Sequence, residues 1–473
     1  MNSSLIAPFP KGYIVYPTHF HGADTLPEWF TSKGLNSSWT IKYDPLQEVH
    51  THAGPFFTLT LVGRAYSKSF SAQTNSEIIS VLVNALTNDF NVDRFITMAS
   101  SFGGRFTIFL IWGESIVAVG DALGSMPLWW GVADHSIALT NYSSLLATLL
   151  NDFRNDRKKE FFGDPNYNSG QPWLSGLVPE HDVATPVIPN HYLEHRKGKT
   201  EHKRFFPTAP LQTISVEDAA TIVIDELRYS VECLVNSKSD LYFSITGGDD
   251  AYTAVCATLD QLHSKNAIGV TYAFLNGDAN PTHDDLVIAS KRMFNAGLRH
   301  KVVPMEFSWG SDFAKAYSKT HPSLAVFPTL AATIQRTAQA DSFFLVGHGA
   351  EIGNVFYKER TESFPSVVQL AEKNGTRKFA ESAVGQRAMR DYIDYTDLNE
   401  EAIFGYDAFD ILYWENRVGR WGARTIGEWD FGSRPISPFS SRTLLSAMMS
   451  IPFESRLDRE IYKEIHRRCG SLD

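Results

Sequence analysis

The chain has 473 residues, 43% apolar, 20% charged and 13% aromatic, and its 43 basic and 53 acidic residues leave a net charge of −10. A chain of this length and composition has material for about two to four packed domains, which excludes a fibrous or wholly disordered class. The acidic balance argues against a general nucleic-acid binder, which presents a basic face, and the longest apolar run, 106–112, is strand-sized and far short of a membrane span.

The N-terminal stretch MNSSLIAPFPKGYIVYP has no charged segment followed by an apolar core, so no signal peptide is expected. Cys233, Cys256 and Cys469 are too scattered for a disulfide framework or a metal cluster, and a reducing cytoplasm fits them best. Up to about residue 205 the chain reads mostly as strands, at 56–63, 104–112, 115–119 and 136–140, with helical periodicity over 77–86. Short regular strands with some helix predict an α+β layered domain. The polar, glycine-containing stretch 152–171 reads as an exposed loop, and 186–207 as a hairpin turning at Lys197-Gly198-Lys199. His191 and His195 have no carboxylate or cysteine pattern beside them, which favours a loop or surface role over a metal site. A linker around 208–213 follows, placing the domain division at 1–209 and 210–473.

Ser215 is placed to cap a helix over 216–235. Next comes DLYFSITGGDDAYTAVCATL, residues 240–259: an apolar strand, the break Thr246-Gly247-Gly248-Asp249-Asp250, then helical spacing from Ala251. A strand, glycine turn and helix in succession gather backbone N–H groups and the positive end of a helix at one point, a nest that attracts phosphate. Paired glycines let an anion approach the backbone. The two aspartates fit such a site if Mg²⁺ lies between them and the phosphate; the alternative is an ordinary βα turn whose helix is capped by an Asp. A strand at 267–275, a helix at 284–294, a strand at 300–303, a helix at 324–339 and a strand at 342–346 predict a parallel, doubly wound sheet. In such sheets ligands bind beyond the carboxyl ends of the strands. The last of these strands ends in Gly347-His348-Gly349-Ala350-Glu351, so two strands end in glycine turns bearing a carboxylate.

These motifs carry a resemblance. Gly103-Gly104-Arg105-Phe106, Asp121-Ala122-Leu123-Gly124 and Pro127-Leu128-Trp129-Trp130 resemble the glutaminase-type domain of asparagine synthetases, a class II glutamine amidotransferase. Thr246-Gly247-Gly248-Asp249-Asp250-Ala251 resembles the pyrophosphate loop of the ATP-pyrophosphatase family, and Gly347-His348-Gly349-Ala350-Glu351 its second motif. The resemblance implies an Ntn-type, amidotransferase-like β-sandwich followed by an adenine nucleotide α-hydrolase-like ligase domain. Residue 2 is Asn2 and no cysteine precedes Cys233, so the resemblance does not carry glutaminase activity. It implies ATP and Mg²⁺ as cofactors. Ser244, Thr246, Gly247, Gly248, Asp249, Asp250, Ala251 and Gly347 would bind ATP and its pyrophosphate, backbone atoms around Thr271 to Phe274, Ala273 among them, would cradle adenine, and Asp250 and Glu351 would hold the metal.

Six further positions have two readings each. His348 either transfers a proton or only hydrogen-bonds. Lys463, in a K-x-x-x-R segment, either stabilises phosphate charge as the family's lysine does or belongs to a solvated helix face. Asp284 and Asp285 either serve metal or substrate or answer the helix dipole. Tyr413 and Glu415 either bind substrate or pack in a core helix with an ion pair. The expected activity is an ATP-dependent, AMP-forming ligase that adenylates a small-molecule or peptide carboxylate and joins it to an amine or ammonia, as β-lactam synthetases and lasso-peptide cyclases do. The expected partners are a second copy or a protein of the same biosynthetic cluster, with no nucleic acid and no membrane. The alternative is a non-catalytic relative that binds a nucleotide or a partner protein.

Overall fold

A computed structural model describes residues 6–167, 173–273, 283–322 and 327–472. The N-terminal half stacks two six-stranded antiparallel sheets. One runs in the order Thr185–Val187, Leu128–Ala133, Ser136–Thr140, Tyr13–Pro17, Trp39–Tyr43, Thr31–Gly34. The other runs Lys199–Arg204, His191–Arg196, Ser115–Gly120, Gly103–Trp112, Thr58–Tyr66, Val49–Ala53. The strand Gly103–Trp112 shows why the layers form. Its alternate residues point to opposite faces. Phe106, Ile108 and Leu110 pack with Ile78, Leu82 and Phe95 of the helices Asn75–Asn88 and Val92–Ser100. Phe109 and Ile111 meet Tyr13, Val15, Trp39 and Ile41 of the other sheet. A strand covered on both faces needs an unbroken apolar run, as this one has.

Two expectations for this half fail. His191 and His195 are buried in a strand, and His191 stacks on His202 at 4.4 Å between ring centres. Burial holds the His191 imidazole down at about 3, so it is neutral. The stretch 152–171 contains the helix Asp156–Gly163, whose Phe161 is buried against Phe379 of the C-terminal half. A single buried ring does not raise the mean hydropathy of a charged segment enough to be seen.

The C-terminal half opens with the helix Val216–Val235, whose Ser215 cap accepts the Asp218 N–H at 3.0 Å. Its five strands are all parallel, in the order Arg299–Pro304, Ile268–Ala273, Leu241–Ser244, Phe343–Leu345, Arg434–Ile436. From Leu241–Ser244 the chain winds outward through two strands on one side, then crosses to build the other side from Phe343–Leu345. The winding therefore reverses between those two central strands, and ligands of open α/β sheets enter at such a reversal. Sequence periodicity missed the edge strand Arg434–Ile436 and the widened π-type helical turns Tyr413–Gly422. Among the described residues no helix is long and apolar enough to cross a membrane.

Buried ion pairs join the halves. Arg105 of the N-terminal strand grips Asp430 with bonds of 2.6 and 2.7 Å, and Arg204 grips Glu415 with bonds of 2.6 and 2.9 Å. Trp414 Nε1 donates to the Ala122 carbonyl at 2.7 Å. Leaving one charge of such a pair alone in the interior costs about 3–5 kcal/mol, so these contacts hold the halves in register.

Candidate functional site

The two glycine loops meet at the reversal of winding. Leu241–Ser244 leads through Thr246-Gly247-Gly248 into the helix Asp249–Ala257, and Phe343–Leu345 leads through Gly347-His348-Gly349 into the short helical turn Ala350–Asn354. Their backbones touch: a Cβ placed on Gly347 would lie 2.7 Å from the Ala251 nitrogen, so only glycine fits at 347. Gly349 has φ +92°, a left-handed turn that starts the helical turn. A cavity of about 230 Å³ opens over the loops. Ser244, Thr246, Gly248, Asp250, Ala251, Gly347, His348 and Glu351 line it, opposite Tyr272 and a wall of Trp421, Gly422, Ile426 and Trp429.

Asp250 and Glu351 converge here, one from each loop. Burial raises the proton affinity of both, and Asp250 raises that of Glu351 further. Asn354 donates to Asp250 at 3.4 Å, and the Gly349 N–H donates to Glu351 at 3.1 Å. Among the described residues no group of three or more His, Cys, Asp or Glu side chains gathers. Two carboxylates set against an open cavity could hold a divalent ion whose remaining ligands came from water or a bound anion, and such an ion would relieve their mutual repulsion.

The phosphate nest fits less simply. Gly247 N–H donates to Asp285 Oδ1 at 2.9 Å. Arg292 lies under the loop and donates to the carbonyls of Gly247 and Gly248 at 3.1 and 3.2 Å, its guanidinium 3.6 Å from the Tyr252 ring centre. The helix His283–Ala296 thus clamps the loop from both sides, and a carboxylate holds one amide that a phosphate would take. Replacing Asp285 with Ala frees that amide. We expect Asp285→Ala to tighten binding of inorganic pyrophosphate about three- to tenfold by calorimetry; weaker binding would make Asp285 the strut that shapes the loop.

The remaining predicted residues divide. His348 lines the cavity packed against Gly422, its Nε2 buried without a partner. Burial holds its imidazole down at about 4, so near neutral pH it is uncharged and a weak base. Asp249 is drawn off to Arg459 at 2.8 Å. Asp284 is exposed at the start of its helix and does not line the cavity. Thr271 is buried, donating to the Ile245 carbonyl at 2.7 Å and meeting His300 at 2.9 Å. Its neighbour Tyr272 faces the cavity instead, because adjacent strand residues point to opposite faces. Ala273 ends that strand, buried, and Phe274 lies outside the described residues.

At three positions the structural reading fits better than the chemical one. Lys463 is exposed on the helix Glu460–Cys469 and does not line the cavity; that helix turns Tyr462, which donates to the Ala350 carbonyl, and His466, 2.9 Å from Thr253, toward the loops instead. Glu415 is wholly buried and committed to Arg204, with Tyr392 donating to it at 3.2 Å, so it is a strut between the halves. Tyr413 is buried too, stacked on Phe356 at 4.3 Å between ring centres. Arg417, expected from the sequence to share a partly buried polar helix face with Glu415, is a cation beside the site. Its guanidinium lies 3.9 Å from the Trp421 ring centre and 5.0 Å from that of Trp173, in the field of Glu351.

The carboxylate pair gives the site a pH signature. Metal ligands must be deprotonated, and both carboxylates bind protons more tightly than usual, Glu351 up to about 7. We expect Mg²⁺-dependent ATP binding to weaken about tenfold or more from about pH 8 to about pH 6, with net proton release on binding, read by titration in buffers of different ionisation heat.

No family model matches the chain, and no curated protein matches it. Solved structures do match. One is glutamine phosphoribosylpyrophosphate amidotransferase from B. subtilis complexed with ADP and GMP, at 8% identity and a TM-score of 0.25, covering 71% of this chain and 75% of that one. Another is described as the allosteric regulatory enzyme of purine biosynthesis, at 7% identity and a TM-score of 0.26, covering 80% of this chain and 74% of that one. Likenesses this distant carry no argument about activity.

Proposed function

We propose that the C-terminal half binds ATP with Mg²⁺ at the reversal of its sheet and adenylates a carboxylate, which is then joined to nitrogen. The observation that carries this reading is the convergence of Asp250 and Glu351, from loops about a hundred residues apart in sequence, on one open cavity. On this reading Mg²⁺, when bound, offsets charge on the phosphates. The chain's own residues do the rest. Asp250 and Glu351 hold the ion; Gly247 and Gly248 present backbone N–H groups to the leaving pyrophosphate once Asp285 and the Thr246 hydroxyl, which take them at 2.9 and 3.2 Å, are displaced; the indoles of Trp421 and Trp429 exclude water from the opposite wall. The neutral imidazole of His348, which lines the cavity, would on this reading take the proton of an amine as it attacks. On this reading the N-terminal sandwich is amidotransferase-like and the nitrogen comes from an amine or ammonia.

The test is exchange of labelled pyrophosphate into ATP across a panel of carboxylates. At least one acid is expected to support exchange. A second reading, a non-catalytic nucleotide-binding protein, is favoured by two observations: Asp285 occupies the nest, and Lys463 lies off the cavity. It predicts ATP binding with no exchange for any acid.

A further inference from the structure

A second cavity lies on the other face of the helical stretch that walls the first. It sits where the halves meet, bounded by Leu128, Trp129, Trp173, Arg420, Trp421 and Gly427. Positions 420, 424 and 427 share one helix face, while 422, 425, 426 and 429 face the glycine loops. Trp421 borders both cavities. The space is open at atomic scale: a Cβ built on the buried Gly427 meets no heavy atom within 4 Å. The cavity has about 70 Å³ of room for water centres. At roughly 10–15 Å³ of such room and about 30 Å³ of liquid volume per water, it accepts about five to seven waters, or a molecule of about ten non-hydrogen atoms.

Its walls set the chemistry of what it takes. The indoles of Trp129, Trp173 and Trp421 offer apolar faces. Arg420 lies 5.6 Å from the Trp129 ring centre and donates to the carbonyls of Gly176 and, at 2.9 Å, Val178. Among the described residues no carboxylate pairs with it. The acid in the wall, Glu180, is committed to Arg424 at 2.9 Å and to Ser143 at 2.8 Å. His321, 6% exposed, leaves Nε2 without a partner, and so does the buried Trp421 Nε1–H, a group that can only donate. A desolvated guanidinium beside an orphaned indole N–H is satisfied by an anionic acceptor.

We propose that this cavity binds a small carboxylate with an aromatic or similarly apolar body, its carboxyl on Arg420 and its body between the three indoles. The site stands independently of the ATP chemistry, although Trp421 walls both cavities.

The test is calorimetric titration of the full chain, without ATP, with phenylacetate, phenethylamine and 2-phenylethanol. Phenylacetate is expected to bind at least about tenfold tighter than either analogue. Arg420→Met should weaken it at least about tenfold. Gly427→Leu, which fills the open space, should abolish binding while leaving the unfolding midpoint unchanged or higher, which keeps the test decisive if the arginine variant misfolds. Absence of phenylacetate binding at millimolar concentration, equal binding of the amine, or undiminished binding to Gly427→Leu would overturn the proposal. Pyrophosphate exchange then separates the two sources of such an acid: a substrate supports exchange, an effector only binds, and either result leaves the site assigned.

Discussion

Asp250→Asn should abolish pyrophosphate exchange and at the same time make the protein harder to unfold. The first effect follows from removing a charged ligand: several kcal/mol of charge stabilisation lost at the leaving phosphate is at least about a hundredfold in rate. The second follows from the sign of the proton linkage. Burial raises the Asp250 carboxyl from 3.8 to about 6. A group held above its unfolded value costs stability once it ionises, so stability falls as pH climbs from about 4 through about 6 and stays lower above that. Asparagine keeps the shape without the charge, and at about pH 8 the gain is roughly 1–3 kcal/mol. A variant both inactive and less stable would mean that Asp250 serves the fold rather than a ligand.

Glu415→Gln should have the opposite profile, a large loss of stability as its primary effect. Glu415 has no exposed surface and meets Arg204, whose side chain is 6% exposed, across the junction of the halves. The amide leaves a buried guanidinium without its counter-charge, at a cost of about 3–5 kcal/mol. Thermal or denaturant unfolding should show an earlier first transition as the halves loosen. If stability is unchanged while the Michaelis constant for an acid rises, Glu415 contacts substrate after all.

What could be read before the fold was known follows from the range of the forces involved. The two glycine turns, the helix Val216–Val235 and the alternation of strands and helices are local patterns, and they sufficed to place Asp250, Gly347 and Glu351 at strand ends. The neighbour relation that brings those ends together depends on strand order, and it was inferred from the general behaviour of parallel sheets. Long-range pairings were not legible. Nothing local marks Asp285, 38 residues on, as the partner of Gly247, or Arg204 as the partner of Glu415. The orientation of Lys463 was not legible either: on a helix packed through Tyr462 and Ile465, the intervening position faces water.

The central claim is that Asp250 and Glu351 share a divalent ion over a triphosphate held by the glycine loop. Its most direct measurement is calorimetric titration of the full chain with ATP, with and without Mg²⁺, alongside Asp250→Asn and Glu351→Gln. The account predicts one ATP per chain that requires Mg²⁺ and is lost in either variant. ATP binding that is indifferent to Mg²⁺, or that survives in both variants, would contradict it.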